Sequence, residues 1–325
     1  MRVSDFYNLN KTQPYLDFVD VPLDTDIEVF IDPSAIRTLT SRWGHECASL
    51  LQSFFGCVLK NIKSGNHSKA QELLASLKER NEFHLGFSQG ESKGHGFGDG
   101  TGETVWDALT KSEAAKTGML EDLEDTCLLV HGIGPDMISD AVCNILRGPL
   151  LKYTQDTCQY YGIELVNDIP SGPIWNPISE QWEQGFVPMP VTSYGPLVLI
   201  PKIIVRHRLL YKFDEYYRRF LLPAMRKEEI EANSSLVEVL KNGKTRVTNV
   251  SLEAKYGADK LSIINESVKR PHVVEQYKEE KKKKVSMPLS HEELSVIEET
   301  ELRRFLMILS NWIQGEIRRL NMKIL

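Results

Sequence analysis

Residues 82–103 read EFHLGFSQGESKGHGFGDGTGE, with glycine at positions 86, 90, 94, 96, 98, 100 and 102. Glycine loses more backbone freedom on ordering than any other residue and brings no side chain to pack. So dense a run sustains neither a helix nor a regular strand, and it reads as a mobile flap or loop. Its successive free amides, with Lys93, also suit a phosphate, although GxxxxGK[ST] and the strand–glycine–helix dinucleotide arrangement are both missing. His84, Ser88 and Lys93 are therefore candidate substrate-binding residues.

The segments on either side carry the regular structure. A short strand is expected over Ile27–Ile31, closed by Asp32-Pro33, where a carboxylate can cap free amides and proline suits a first helical turn. Helices follow at Cys47–Ile62, with Leu50, Leu51, Phe54, Phe55, Val58 and Leu59 at helical spacing, and at Ser68–Glu79. A brief strand (Glu82–Phe87) leads into the glycines, and a helix (Thr104–Thr117) leaves them. Thr126–His131 reads as a strand.

A helix capped by Asp136 then runs to about Arg147, Gly148-Pro149 breaks it, and another spans Leu150–Tyr161. Ile163–Val166 is a strand candidate, Asn167–Trp182 an ordered aromatic loop, and Phe186–Val191 with Pro196–Val205 a possible hairpin. Beyond Leu210 the chain reads as helical, with a turn at Gly243 and a solvated break at Lys281–Lys284. A final helix opens on the capping box Ser290/Glu293. The fold class expected is α+β, or irregular α/β: a mixed core over 1–208, a helical region over 209–288, and a long C-terminal helix over 289–325.

Chemistry concentrates at HGIGPDMISDAVCNIL (131–146). Asp136 and Asp140 lie four apart, so on a helix they share one face, where a divalent cation would relieve their repulsion. Magnesium is commonly held by one or two carboxylates, with water and substrate phosphate completing its shell. Asp125 could supply a further ligand and His131 a base; Asp32 could assist. The competing reading is helix capping by Asp136 and dipole stabilisation by Asp140.

Asp24, Asp26, Glu28 and Asp32 surround the first strand and share one side if it is regular. A PD-(D/E)XK nuclease core would need an acid-x-Lys on a following strand. Lys202 in LVLIPKIIV is the nearest lysine of that kind, but Ile200 stands where the acid should be. Glu253 and Lys255 match in letters alone and read as a capped helix. Arg206, His207, Arg208, Tyr211, Lys212, Tyr216, Tyr217, Arg218, Arg219 and Phe220 gather basic and aromatic groups, as a phosphate- and base-contacting surface or an ordinary amphipathic helix would.

Composition narrows the classes. A hydrophobic fraction of 41% and a charged fraction of 26% suit a globular protein with a real core. A net charge of −6 argues against indiscriminate coating of nucleic acid, though not against a local basic groove. Five cysteines without a CxxC pair read as buried thiols in a reducing compartment. No apolar run reaches the roughly 18 residues of a membrane span, and the N-terminus lacks a signal-peptide core, so a cytoplasmic, non-membrane protein is expected.

The pattern H-G-I-G-P-D-x-I-S-D-x-x-x-N-I-L resembles an uncharacterised group of bacterial proteins. DIEVFIDP (26–33), HLGFS (84–88) and LIPKIIVR (199–206) carry the same likeness, which spans most of residues 20–280. The resemblance implies an association with defence against phage and attaches no activity.

The function expected is a metal-dependent phosphodiesterase, a hydrolase or nuclease acting on nucleic acid with Mg2+ or Mn2+. Asp136, Asp140 and Asp125 would hold the cation, His131 or His84 would move protons, and Lys202 and Arg206 would steady the phosphate. The alternatives are a non-catalytic sensor or adaptor, joined through 289–325 to a partner protein or a second copy, and a nucleotide-binding enzyme using the glycine loop.

Overall fold

A computed structural model describes residues 1–77, 80–85, 107–284 and 288–290. It shows a mixed α+β fold whose strands form five small antiparallel pairs and whose C-terminal part is helical. The longest described helix, Arg42–Lys63, is capped by Ser41, whose side chain accepts from the Gly44 amide at 3.0 Å. Cys47, Leu51, Phe54, Phe55, Val58 and Ile62 form its buried face, the stripe that helical spacing requires.

Against that stripe packs a hairpin, Ile174–Asn176 with Gln181–Glu183, in the stretch expected to be a loop. It brings Trp175 and Trp182 opposite each other, and both rings lie 5.1–5.2 Å from Phe54 between centroids. The Trp182 indole donates to the Leu73 carbonyl at 2.9 Å, the polar outlet a buried indole needs. Val166–Pro170 pairs with Phe186–Met189, and Val191–Thr192 with Gly195–Pro196.

Phe30–Ile31 pairs with Val205–Arg206, so the first strand is shorter than expected; Ile27 is held separately by a bridge to Leu85. Asp32 does cap the helix Pro33–Arg37, accepting from Ser34 N at 2.9 Å.

Several expectations need correction. Thr126–His131 is no strand: Thr126–Leu129 is one helical turn with all four residues buried, and His131 follows in a turn. A short apolar run enclosed on every side carries no period, so its letters fit either element. The helix Pro135–Ile145 is capped by Gly134, with Pro135 first, so Asp136 lies inside the first turn and is not the cap. Gly148-Pro149 breaks nothing: Arg147–Tyr161 is helical, and Pro149 sits in the first turn, where amides have no intrahelical partner to lose.

Leu197–Ile200 is buried but irregular, leading to a 3-10 turn at Lys202–Ile204. The lysine run is not wholly a solvated break, because Lys281 lies in the last turn of the helix Pro271–Lys282 and is buried against Glu215. Glu253 and Lys255 lie on the helix Asn249–Tyr256, as expected, although its cap is Thr248.

The helical part docks on the rest through aromatic and charged contacts. Tyr277 packs edge-on against Tyr211, Tyr216 and Phe220, with centroids 5.0–5.6 Å apart. Its hydroxyl accepts from Lys212 N at 2.8 Å. The expected C-terminal helix lies outside the described residues, apart from 289 and 290. No described helix is long and apolar enough to cross a membrane.

Candidate functional site

The site is built where the first strand region meets the chain leading to the glycine-rich segment. The 3-10 turn Asn81–Phe83 ends on His84, which adopts the left-handed conformation (φ 51°, ψ 38°). A non-glycine residue is disfavoured there by its Cβ, and surrounding contacts must hold it in place. Those contacts are visible. The His84 carbonyl accepts from Ile27 N at 3.3 Å, and Leu85 bridges Ile27.

This registry brings the imidazole to Asp26, with Nδ1 3.8 Å from Oδ1 and side chains only 7% and 4% exposed. Nδ1 is buried and has no hydrogen-bond partner among the described residues. Burial lowers the His84 pKa from its ordinary value, against the opposing pull of Asp26, Glu82 and Asp24. The ring is thus neutral at neutral pH, as a proton acceptor must be.

Two neighbouring helices clamp the chain before His84. Arg80 Nε donates to Asn144 Oδ1 at 2.9 Å, and Asn144 Nδ2 to the Asp140 carbonyl at 2.8 Å. Arg147, 2% exposed, donates through Nη2 to Glu82 Oε1 at 2.6 Å and through Nε to the Ser171 carbonyl. Gly172 (φ +67°) makes room, since a Cβ there would stand 2.8 Å from Arg147 Nε.

The helix 135–145 lies against the first strand, where Ile31 N donates to Ser139 Oγ at 3.0 Å. It carries half-buried Asp136 and buried Asp140 on one side. Arg206, buried opposite Phe30, donates from Nη1 to the Ile203 and Val205 carbonyls, both at 2.8 Å. Desolvation lowers its pKa, and Asp32 opposes this. Asp32 itself is structural: its second oxygen accepts from Leu210 N at 3.0 Å, beside the Ser34 cap.

Of the residues singled out in the sequence, His84, Asp136, Asp140 and Arg206 thus lie on adjoining elements around one strand. Others are placed elsewhere. His131 is exposed in its turn. Lys202 Nζ donates to the Gln13 carbonyl at 3.1 Å, in a separate 480 Å³ hollow with Asp17 and Tyr153. Asp125, fully buried, accepts from Lys278 Nζ at 3.0 Å and from the amides of Glu121 and Asp122 at 3.0 and 3.1 Å.

Asp125 is thereby tied to its own cation and does not join Asp136 and Asp140. Among the described residues no group of three or more His, Cys, Asp or Glu side chains is placed to hold a metal ion. Asp136 and Asp140, four residues apart on the helix Pro135–Ile145, keep to one side of it. Ser88 and Lys93 lie outside the described residues.

Sequence reasoning missed Arg80, Glu82 and Arg147. The only signal was charge flanking apolar helix ends, which many solvated residues share.

A family model described as a domain of unknown function, DUF8370, matches residues 8–212. No curated protein and no solved structure matches the chain.

Proposed function

The chain belongs to the DUF8370 family, and we propose that the matched segment hydrolyses phosphodiester bonds of nucleic acid, with Mg2+ or Mn2+ as cofactor. The observation that carries this reading is His84: buried, neutral, held in a left-handed conformation and facing buried Asp26. In this proposal the left-handed backbone fixes the ring's position, and burial favours the unprotonated state in which a base can accept a proton.

In this reading His84 takes a proton from the attacking water through Nε2, while Asp26, facing Nδ1 at 3.8 Å, stabilises the imidazolium that forms. Arg206, on the strand paired with Phe30–Ile31, and Arg80 supply positive charge to the phosphate. Asp136 and Asp140 would hold the cation, whose chemistry when bound is to neutralise phosphate charge and acidify a water. His84 takes the proton-moving role in preference to exposed His131. The five free cysteines, all buried, support the cytoplasm as the place of action.

The test is cleavage of single- and double-stranded DNA and RNA with Mg2+ or Mn2+. Wild type should cleave at least one substrate. His84→Gln should lose roughly a hundredfold or more in rate, and Asp136→Ala should lose the metal-dependent cleavage with its melting temperature nearly unchanged. A silent wild type, or a His84→Gln variant as fast as wild type, would remove the proposal.

A second reading, a non-catalytic subunit of an assembly, is favoured by exposed aromatics. Tyr15 and Tyr160 are 73% and 78% exposed and meet through Tyr161, whose hydroxyl donates to the Tyr15 carbonyl at 3.2 Å. Such patches mark contact surfaces. Under this reading the purified chain should self-associate or need a partner, and Tyr160→Ser should reduce that association; a monomer indifferent to the change counts against it.

A further inference from the structure

The helical part holds a hollow of about 730 Å³ lined wholly by residues after 212, beyond the segment that the family model matches. Its volume falls within the roughly 300–1,000 Å³ typical of small-ligand sites. Three cations line it: Arg218, Arg226 and Lys260.

Elsewhere in the helical part, buried cations are matched with carboxylates, as in Arg270 with Glu228 and Glu266, Lys278 with Asp125, and Lys281 with Glu215. The three at the hollow form no ion pair with a carboxylate among the described residues, although Asp214 is near enough to favour the charge on Lys260. Lys260 Nζ donates to the Ile133 carbonyl at 3.1 Å and stands 5.2 Å from the Phe213 ring centroid. Arg226 donates to the Val247 carbonyl at 3.0 Å and to Asn249 Oδ1. Arg218 is exposed and has no carboxylate within ion-pair distance among the described residues, whereas Arg219 beside it pairs with Glu215 at 3.0 Å. Two acids, Asp214 and Glu253, also reach the wall, leaving one positive charge in excess.

One of its rings, Tyr217, comes from a special backbone feature. Residues Tyr217–Leu221 form a π-helical turn between the helices Phe213–Tyr216 and Leu222–Glu231. Pro223 explains it: proline has no amide for the carbonyl four residues back, and its ring crowds that carbonyl, so the helix absorbs an extra residue. Such bulges recur at functional sites because they turn side chains away from the regular face. Here Tyr217 and Arg218 both line the hollow.

We infer that this hollow binds a nucleotide unit, the base lying against Tyr217 and Phe213 and the phosphate against Arg218, with Arg226 and Lys260 behind it. Aromatic faces next to guanidinium groups suit any base, and a phosphate would supply the carboxylate-like partner the three cations lack. The unit is a free nucleotide or one residue of a single strand; the chemistry is shared. The site stands independently of the proposed hydrolysis.

The test is binding of a short fluorescein-labelled oligodeoxynucleotide, by anisotropy in EDTA so that no metal-dependent cleavage intervenes, beside calorimetry with AMP. Wild type should bind. Arg218→Glu, an exposed change that leaves packing intact, should weaken binding about tenfold or more, and Lys260→Met, which keeps the contact with Phe213, should weaken it severalfold. His84→Gln should bind as wild type does, which separates this site from the catalytic reading. Binding of AMP as well would identify a free nucleotide as ligand; binding of the oligonucleotide alone would identify a strand. No binding of either probe, an Arg218→Glu variant that binds as wild type, or an abasic competitor as effective as the normal strand would overturn the assignment.

Discussion

Two buried acid–base contacts, Asp125 with Lys278 and Asp26 with His84, show how one type of carboxylate comes to opposite uses. Asp125 meets a permanent cation at 3.0 Å, two backbone amides fill the same oxygen, and both side chains are fully buried. Burial opposes the charge on Lys278, but Asp125 and Glu121 outweigh it and hold the ammonium pKa above its ordinary value. One oxygen of Asp125 thus takes all three donors, and the ion pair joins residues 153 apart in the chain. Asp26 instead faces, at 3.8 Å, an imidazole that burial keeps neutral on a strained backbone. The first contact spends its charges on holding two parts together. The second leaves a buried nitrogen, His84 Nδ1, without a hydrogen-bond partner among the described residues.

The difference can be broken most forcefully at Lys278. Lys278→Met leaves Asp125 charged and alone in the interior, which should cost about 3–5 kcal/mol in denaturant unfolding. Adding Asp125→Asn should restore most of it, and a single variant within about 1 kcal/mol of wild type would deny the pair its structural role. His84→Gln should move stability by less than about 1 kcal/mol while abolishing cleavage. An equal collapse of both would make His84 structural too.

Gly172→Ala forces a left-handed alanine against Arg147. It should cost roughly 1–2 kcal/mol and, by shifting the clamp on Glu82, slow cleavage without touching His84. The mildest test is pH. Because burial depresses the His84 pKa, the unfolded chain binds a proton more readily, so stability is complete above about 6.5 and declines as pH falls below it. That part of the decline should vanish in His84→Gln.

How legible was this from residues alone? Asp32-Pro33 was read correctly as a helix start, because a cap and a first-turn proline act over a few residues. The stripe of Arg42–Lys63 was legible from its period, and the Asp136/Asp140 face from its spacing. Thr126–Leu129 was misread because burial on all sides erases periodicity. Asp136 was misread as a cap because the sequence cannot say whether Gly134 takes that position. Asp125 was expected among the metal ligands, and nothing near it in the chain announces Lys278. Lys202 reads as a phosphate contact in its strand-like run, but the chain turns at Pro201 and sends its ammonium to Gln13.

The sequence by itself determined the local steps: where helices start, and that the described C-terminal part is mainly helical. These follow from backbone preferences and side chains a few residues apart. Tertiary structure alone decided which acids are neutralised and which histidine is kept uncharged. Ionisation depends on desolvation and on partners brought from distant parts of the chain, and no local pattern encodes either.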